Sequence, residues 1–480
     1  MDASALAALI SRIDFAVVTT LHIIYPPLTI GLALLLFLAE WRWLQRGDNR
    51  WYRLCRFFER LFIVNFGAGV ATGVTMELAF GILYGPFSQA AGPIFGQVLG
   101  YETITAFMYE AAFIGLMIFG WGRIHPKIHL FATANVALSS AISAMWIMNA
   151  NSWMQSPVGV KLQNGYFYVA DWFAALLNPN VLASFPHMLL ASIELSLCFV
   201  IAVCAWFVLK RRDIELFQRP LKYCLVALLF VAPLQIFVGD ALGQIVAQTK
   251  PAALAAMEGH YNTYLPDGTP NSEWHVVSWP NQAGTGNAWA ISIPHFLSLL
   301  ETHSWNDPVP GLNDFPAADR PPVVVPFYAF RIMAGIGGVL AILAIWGVWL
   351  IWRGRFTLAQ IASHRWFLLS AIGCGTLPYL AIWAGWWARE SARQPWIVYG
   401  LMRTDQGVSQ MSVAAASFWL VGFTVLEVIV SLATFYYMAK ICRLGPSDVD
   451  NAPIFNPQNN AGAVPETEAA FNSGHVTPRQ

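Results

Sequence analysis

Two histidines and a methionine lie inside long apolar stretches of this 480-residue chain, where such side chains can bind a haem iron. Pro26 follows His22 by four residues and removes the amide that would bond the His22 carbonyl, so we expect a kink that leaves room beside the ring. His187 follows Pro186, a residue suited to the first turn of a helix. His187 and Met333, at matching depth, can supply the two axial ligands of a low-spin haem. The alternative for each residue is ordinary core packing.

Several carboxyl groups also fall inside the apolar stretches, where a charge is costly and is usually functional. Glu102 and Glu110 begin the third stretch, and their spacing predicts that they stack along one side of a regular helix, about 12 Å apart. Carboxylates placed in this way can bind iron or pass protons. Ser143 and Asn151 can extend a polar path, and Glu427 in the last stretch has no evident partner.

Arginines accompany two of these groups. Glu390 and Arg393 lie three residues apart at the end of the eighth stretch, which puts them on one helix face. They form either an interfacial ion pair or part of a cofactor site. Arg331 lies two residues before Met333 and therefore cannot share its face of a regular helix. The long side chain of Arg331 can still reach a haem propionate.

Helices in a membrane must position these residues. The chain is 57% hydrophobic and 11% charged, which is typical of an integral membrane protein, and its net charge of zero does not indicate a nucleic-acid partner. We predict an all-α integral membrane protein with nine transmembrane helices, because nine stretches can cross the ~30 Å hydrocarbon core. They are residues 14–44, 55–84, 96–120, 128–150, 184–209, 220–247, 327–352, 366–388 and 414–441.

Basic residues in the short loops alternate between the two sides of the membrane. The segments rich in Lys and Arg are 42–56, 123–127, 210–222 and 353–365, whereas 85–100 has none and 151–182 has only Lys161. The positive-inside rule therefore predicts a periplasmic N-terminus and a cytoplasmic C-terminus. Nearly all the buried ionisable groups then lie near the periplasmic face, which favours a cofactor cluster over a transport path.

The chain divides into a membrane domain, a long loop and a tail. We predict a nine-helix domain over residues 1–445, a periplasmic loop over 248–326 within it, and a disordered cytoplasmic tail over 446–480. The loop has a possible short helix at 294–301, and a loop of this length is usually functional or mobile. From the residues alone we infer a redox or proton-handling protein. The main alternative is a haem-free secondary transporter, which needs buried groups towards both faces.

Seven segments, in order along residues 12–445, resemble subunit I of the cytochrome bd-type quinol oxidases. They are LHIIYPPLTIG (21–31), FGAGVATGVTMELAFG (66–81), YETITAFMYEAAFIG (101–115), SAMWIMNANSWMQSP (143–157), FPHMLLAS (185–192), FYAFRIMAGIG (327–337) and ARQPW (392–396). The resemblance implies a terminal oxidase of the respiratory chain in the bacterial inner membrane.

The resemblance also implies three haems near the periplasmic face: a low-spin haem b, a high-spin haem b, and haem d or a third haem b. It implies that His187 and Met333 are the axial ligands of the low-spin haem, with Arg331 nearby. His22 and Glu390 match the axial ligands of the haem pair that reduces oxygen. Which haem of the pair takes which ligand differs within the family.

Further positions match residues around those haems. Glu102 matches a residue beside the haem pair, and Glu110 and Ser143 match the proton route to the oxygen site. Trp386 and Arg393 match residues beside the haems. Turnover is then electrogenic without proton pumping, because protons for water formation come from the cytoplasm.

In the family, quinol is oxidised at the long loop, which matches residues 248–326. Glu258 matches the glutamate that usually follows a lysine by four or five residues. Here Ala253 stands where that lysine is expected, and Lys250 is displaced. The loop lacks the large charged insertion of the long-loop branch and resembles the short-loop branch, which includes the cyanide-insensitive oxidases.

The expected partners are quinol (taken as ubiquinol), oxygen, a second large oxidase subunit, a small single-span subunit and membrane lipid, with no nucleic acid. Besides the transporter, one other function remains open at this point. It is a quinone-linked b-type cytochrome that does not reduce oxygen.

Overall fold

The computed structural model describes residues 2–446, and the tail predicted to be disordered lies outside this range apart from its first residue. Within the described range, nine helical segments are long and apolar enough to cross a membrane. The nine predicted spans are therefore confirmed. The all-α prediction holds for the membrane domain, although three small two-stranded hairpins occur in its loops.

Five of the nine spans are single helices, and the other four are built from more than one helix or preceded by a short one. The first span joins α1 (Ala3–His22) to α2 (Tyr25–Arg46), and the second is α3 (Asn49–Leu83). The third joins α5 (Gly92–Glu102) through a π-helix (Thr103–Met108) to α6 (Tyr109–Phe119), and the fourth is α7 (Pro126–Gln155). The remaining spans are α8 (Trp172–Leu176) with α9 (Val181–Leu209), α10 (Ile214–Thr249), α13 (Val324–Trp352), α14 (Arg365–Gly373) with α15 (Leu377–Ser391), and α17 (Val413–Leu444).

Short elements fill the loops on the side where α3, α7, α10 and α15 end. They are α4 (Gly85–Ala90), β1 (Val160–Gln163), β2 (Tyr166–Val169), β5 (Trp396–Val398), β6 (Met402–Arg403) and α16 (Thr404–Gly407). The long loop between α10 and α13 contains α11 (Pro251–Glu258), an antiparallel hairpin of β3 (Trp274–Pro280) and β4 (Asn287–Ile293), and α12 (Phe296–Thr302). The short helix predicted in this loop is α12. We call this side the long-loop face and the opposite side the arginine-rich face.

The kink predicted after His22 is a complete helix break. His22 is the last residue of α1, and α2 begins three residues later at Tyr25, with Pro26 and Pro27 in its first turn, where the missing amides cost nothing. The Thr20 carbonyl oxygen, near the end of α1, accepts a 2.6 Å hydrogen bond from the indole of Trp383. The break therefore places the His22 ring at a helix end facing α3.

Two other local predictions were wrong. Pro186 lies inside α9, which begins at Val181, because a short helix and Asn180 precede it and extend the span. Glu102 and Glu110 do not begin their span and are not on one regular α-helix, since the π-helix separates them. π-Helical turns are often found at functional sites, because they change which side chains face a neighbouring helix.

Apolar packing fills the half of the bundle towards the arginine-rich face. Phe57, Phe207 and Phe217 are fully buried there, and the rings of Phe207 and Phe217 stack with centroids 3.9 Å apart. A second apolar cluster surrounds the fully buried Trp153 near the long-loop face. The polar residues predicted to form the site lie between these two apolar clusters or at their edges.

Close packing of α2 on α9 depends on Gly31. A Cβ atom built at this position overlaps the backbone oxygen of Ser192 and the side chain of Ser196. We expect Gly31→Ala to destabilise the protein by about 1–3 kcal/mol, the usual cost of overpacking. Thermal unfolding followed by circular dichroism measures this. The control is Gly67→Ala on α3, where a Cβ meets nothing within 4 Å and the unfolding midpoint should not fall. Equal midpoints for the two variants would contradict the expectation.

Candidate functional site

The His22 ring is oriented by α3. Its Nδ1 lies 2.9 Å from the hydroxyl of Thr72, and the ring packs against Gly73, where a Cβ would lie 3.4 Å from the ring. The Thr72 hydroxyl donates to the carbonyl of Ala68 at 2.9 Å, so it accepts a hydrogen bond from His22 Nδ1–H. The neutral ring then carries its lone pair on Nε2, the arrangement of a histidine ready to ligate a metal.

The His187 ring lies against α10. A Cβ at Gly239 would stand 3.1 Å from this ring, so a larger residue here would require the ring to shift. His187 Nε2 lies 3.4 Å from the side-chain amide nitrogen of Gln235, whereas Nδ1 is buried without a hydrogen-bond partner. A buried ring nitrogen without a partner is uncommon and indicates a group that awaits a ligand or proton acceptor.

Met333 packs in the same way against α15. A Cβ at Gly385 would lie 2.8 Å from the Met333 sulfur, and the buried Ala384 and Ala388 line the same contact. Trp386 follows Gly385 and is half-buried. All three sequence-predicted sulfur and imidazole ligands therefore face a glycine of a neighbouring helix.

Glu390 is the centre of a polar cluster at the long-loop ends of α7 and α15. Its carboxylate forms an ion pair with Arg393 and accepts hydrogen bonds from Asn151 at 2.9 Å and Gln155 at 3.3 Å. The side chain of Arg393 is buried, and its Nε and Nη1 have no partner. The predicted pairing of Glu390 with Arg393 is confirmed, and Asn151 extends it.

Two more cations surround this cluster. Arg389 donates to Asn151 at 2.7 Å and to Asn180 at 2.8 Å, and Lys250 donates to Gln155. Lys250 is 3% exposed, and burial together with the charges of Arg389 and Arg393 lowers its pKa well below the ordinary value. Two arginines, Arg389 and Arg393, thus accompany a single carboxylate, which leaves a site suited to further negative charge.

The two acids of the third span both face α7. Ser143 donates to Glu102 at 3.1 Å, and Ser140, one turn away on the same face, donates to Glu110. The π-helix between the acids brings both carboxylates to this one serine face. Ser143, predicted with Glu110, therefore contacts Glu102, and Ser140 was missed.

The long loop is attached to α13 by Arg331. This side chain forms a 2.6 Å ion pair with Glu258 and donates two hydrogen bonds to the backbone oxygen of His275, at 2.8 and 3.0 Å. Its guanidinium also lies 4.5 Å from the ring centre of Trp274 and 4.6 Å from that of Phe327. Arg331 thus contacts the loop rather than the Met333 side of its helix, and Glu258 is 4% exposed at its side chain.

A further acid lies beside this ion pair. Glu301 on α12 has one buried carboxylate oxygen without a hydrogen-bond partner. Burial, and repulsion by Glu258 and Asp240, raise its pKa from 4.5 to about 8. Glu301 therefore retains its proton at neutral pH in the folded protein.

Several residues of these clusters were missed from sequence. Thr72, Ser140 and Arg389 contact predicted residues. These contacts depend on how each helix is rotated about its axis, which no sequence motif indicates. The buried Glu427 was predicted to lack a partner, and both of its carboxylate oxygens do lack one, as do those of the equally buried Asp14 on α1.

Comparison with known proteins gives a consistent result. The family model for cytochrome bd terminal oxidase subunit I matches residues 10–446. Cytochrome bd-II ubiquinol oxidase subunit 1 of Escherichia coli (strain K12) is 32% identical over 507 aligned positions, which cover 91% of this chain and 96% of that protein. Cytochrome bd ubiquinol oxidase subunit 1 of Bacillus subtilis (strain 168) is 31% identical, with coverage of 90% and 93%.

A solved structure shows the same fold. The bd oxidase from Geobacillus thermodenitrificans matches with a TM-score of 0.84 and 30% sequence identity. The match covers 93% of this chain and 100% of that chain.

The raised pKa of Glu301 predicts a pH-dependent loop. Between pH 4.5 and about 8 the folded protein holds a proton that the unfolded chain releases, so the stability contributed by Glu301 is lost as the pH rises across this window. We expect Glu301→Gln to reduce this loss. Hydrogen exchange of residues 274–293 across that window measures it, with Asp307→Asn, an exposed loop acid, as control. The idea fails if Glu301→Gln and wild type respond equally to pH.

Proposed function

The chain belongs to the family of cytochrome bd terminal oxidase subunit I, and we propose that it oxidises quinol at the long loop and delivers the electrons to three bound haems. It is a quinol oxidase subunit of the bacterial inner membrane. Haem, when bound, supplies electron transfer and the binding and reduction of oxygen to water. The protein's own contribution is to hold the haems, exclude water and move protons.

The observation that carries this proposal is that three of the four candidate iron ligands pack against a glycine. His22 lies against Gly73, His187 against Gly239 and Met333 against Gly385, so each of these side chains lies close to the backbone of a neighbouring helix. Haem is a flat group that must enter between helices, and small residues allow this. His187 Nδ1 and two nitrogens of Arg393 are buried polar atoms without partners, as expected where a cofactor completes the contacts.

We assign His187 and Met333 as the two axial ligands of a low-spin haem b. Both lie on the long-loop half of their helices, α9 and α13. We assign His22 and Glu390 to the haem pair that reduces oxygen, one haem of which is a high-spin haem b and the other haem d or a third haem b. Thr72 keeps His22 in the ligating tautomer.

Charge supports the same location. The positive charges of Arg389 and Arg393 exceed the single negative charge of Glu390, and haem propionates are anions that such a site stabilises. Trp386 and Arg393 would lie beside a haem bound here. Arg331 is held by Glu258 and His275, and its remaining nitrogen Nη1 is the one available to a propionate.

We propose that the long-loop face is periplasmic. The arginine-rich loops lie on the opposite side, and the positive-inside rule places such loops in the cytoplasm. The N-terminus is then periplasmic and the described chain ends on the cytoplasmic side. The membrane domain spans residues 1–445, and the loop 248–326 is its quinol-binding part.

At the quinol site, Glu258 is the group that accepts a proton from quinol. The Arg331 ion pair holds its carboxylate at the junction of α11, β3 and α13. Lys250 is buried at the start of α11, the helix that ends with Glu258. It donates a hydrogen bond to Gln155, which in turn donates to Glu390, so Lys250 links the quinol site to the Glu390 cluster. Protons released here leave to the periplasm.

Protons for water formation take the opposite direction. Glu110 with Ser140, and Glu102 with Ser143, form two successive carboxyl–hydroxyl pairs along α7 that lead towards the long-loop half. Cytoplasmic uptake with periplasmic release makes turnover electrogenic without a pumped proton.

The remaining partners follow from the family. We propose a second large oxidase subunit and a small single-span subunit beside this chain, with lipid on the rest. The π-helix region exposes Ile104, Phe107 and Met108, an apolar face that a subunit or lipid covers. The substrates are quinol, expected to be ubiquinol, and oxygen. The long loop lacks the large charged insertion of the long-loop branch of the family, and in this it resembles the loop of the cyanide-insensitive oxidases.

Axial ligation can be tested by substitution of Met333. We expect Met333→Leu to remove the low-spin haem b signal, because leucine has no atom that binds iron, while the other haem signals persist. Reduced-minus-oxidised spectra with pyridine haemochrome analysis measure this. Met438→Leu, at a buried methionine of α17 away from the site, is the control and should retain all the haem. Full low-spin signal in Met333→Leu would exclude Met333 as a ligand.

The role of Glu258 can be tested through electron entry. We expect Glu258→Gln to slow quinol oxidation by about 100-fold, since an amide cannot accept the quinol proton, a loss within the usual range for acid–base groups. Reduction of the haems by dithionite should be unchanged. Asp267→Asn, in an exposed turn of the same loop, serves as control. Wild-type rates of haem reduction by quinol in Glu258→Gln would refute the assignment.

A further inference from the structure

Near the arginine-rich face, far from the long loop, lies a second cluster of buried ionisable groups. Glu40 on α2, Glu59 on α3 and His129 on α7 are each at most 3% exposed, and Thr133 is 2% exposed. We call these four residues the Glu40–His129 cluster. None of them belongs to the haem or quinol sites described above, and α7 is the helix that also presents Ser140 and Ser143.

The hydrogen bonds of His129 define where its protons lie. Nε2 is 2.9 Å from the backbone oxygen of Met117, which only accepts, so Nε2 carries a hydrogen. Nδ1 is 2.7 Å from Glu40 Oε1. This contact needs one proton between the two atoms, whether it is written as imidazolium and carboxylate or as imidazole and carboxylic acid. The pair therefore holds at least one proton.

Thr133 allows the same pair to hold a second proton. Its hydroxyl lies 2.6 Å from Glu40 Oε2 and 3.2 Å from the backbone oxygen of His129. With one proton on the pair, the hydroxyl donates to Glu40. With two, Glu40 Oε2–H donates to the hydroxyl, which turns its own hydrogen to the His129 carbonyl. Every polar group keeps a hydrogen bond in both states, so neither state leaves an unpaired buried group.

The charge of the two-proton state is balanced from α3. Glu59 accepts hydrogen bonds from Trp121 at 3.0 Å and from Arg56 at 2.6 Å, the pattern of an ionised carboxylate. The Trp121 ring lies 4.0 Å from the His129 ring, so the two groups are in direct contact. A small cavity of ≈ 10 Å³, about the size of one water molecule, separates Glu40 from Glu59 and is also lined by Cys55, whose thiol contacts the Leu36 oxygen.

The cluster lies between solvent and the proton route of α7. The side chain of Arg56 is 26% exposed and forms an ion pair with the buried Glu59. This ion pair connects the cluster to solvent at the arginine-rich face. On the inner side, Val136 is fully buried and separates Thr133 from Ser140. Onward transfer to Glu110 therefore needs water between α6 and α7, and loading from the surface needs a water in the cavity between Glu59 and Glu40.

We propose that the Glu40–His129 cluster is a proton-loading site for the oxidase. A proton from the aqueous side enters past Glu59 and binds to the Glu40–His129 pair, and the pair later releases one proton towards Glu110. This inference rests on the proposed function, because oxygen reduction is what consumes the protons. Proton loading requires the Thr133 hydroxyl to rotate from Glu40 to the His129 carbonyl. A hydrogen-bond network that only stabilises the fold does not require this rotation.

Thr133 provides the sharpest test. Thr133→Val keeps the shape of the side chain and removes its hydroxyl, whereas Thr133→Ser keeps the hydroxyl and serves as the matched control. The purified oxidase complex is titrated with pH and followed by infrared spectroscopy, with Glu40→Gln used to identify the carboxylic acid band of Glu40. Oxygen consumption at saturating quinol is measured over the same pH range.

In wild type and Thr133→Ser, we expect the Glu40 band to lose intensity as the pH rises, and oxygen consumption to fall over the same interval. In Thr133→Val both transitions should move to higher pH by about one unit, because the variant loses the hydrogen bond that the hydroxyl donates to the ionised Glu40 carboxylate. Superimposable pH profiles for Thr133→Val and Thr133→Ser would overturn the proposal, as would an infrared pH response that is unchanged in Glu40→Gln.

Failure of the proposed function gives a different result. Anaerobic reduction of the haems by quinol should be normal in every one of these variants, because electron entry lies at the opposite face. If wild type itself shows no oxygen consumption with quinol, the oxidase assignment fails, and the infrared titration still decides whether the cluster binds the proton. If Glu40→Gln yields no folded complex, Glu59→Gln replaces it, and loss of the charge that balances the two-proton state should shift the Glu40 transition to lower pH, opposite to the shift in Thr133→Val.

Discussion

The cost of placing charge inside hydrocarbon organises this molecule. An ionisable group within the spans is costly unless it has a counter-charge, hydrogen bonds or a bound proton, and the carboxyl groups of Asp14 and Glu427 have no hydrogen-bond partner. Glu390 is surrounded by Arg393, Asn151 and Gln155, and Arg331 by Glu258 and the His275 carbonyl. The polar groups are therefore collected into a few clusters, while aromatic and aliphatic packing fills the space between them.

Irregular backbone occurs next to residues of the proposed haem site and proton route. The break between α1 and α2 turns His22 towards α3, and the π-helix in the third span turns Glu102 and Glu110 towards the serines of α7. Glycines play the complementary part, because Gly73, Gly239 and Gly385 let imidazole and thioether groups approach neighbouring helices. Local departures from a regular helix thus coincide with the residues proposed to bind haem or carry protons.

Hydropathy and residue type predicted all nine spans, and they singled out Glu102, Glu110 and Glu390, because both depend on local sequence. The cross-helix partners were not predictable in this way. Ser140 pairs with Glu110 only because a π-helix rotates the acid, and Arg331 meets Glu258 across 73 positions of chain through the fold of the long loop. The hairpin of that loop was also missed, and it is attached to α13 through the backbone oxygens of His275 and Ser278. The Glu40–His129 cluster escaped notice because its members come from three separate spans, where each looks like an isolated polar residue.

The central claim is that protons are taken up at the arginine-rich face and released at the long-loop face, with haem chemistry between. The most direct measurement is of membrane potential and proton movement in sealed vesicles that contain the complex in one orientation, during turnover with quinol and oxygen. The account predicts a potential positive on the long-loop side, with about one proton released on that side and one consumed on the other for each electron. Oxygen consumption that builds no potential would contradict it.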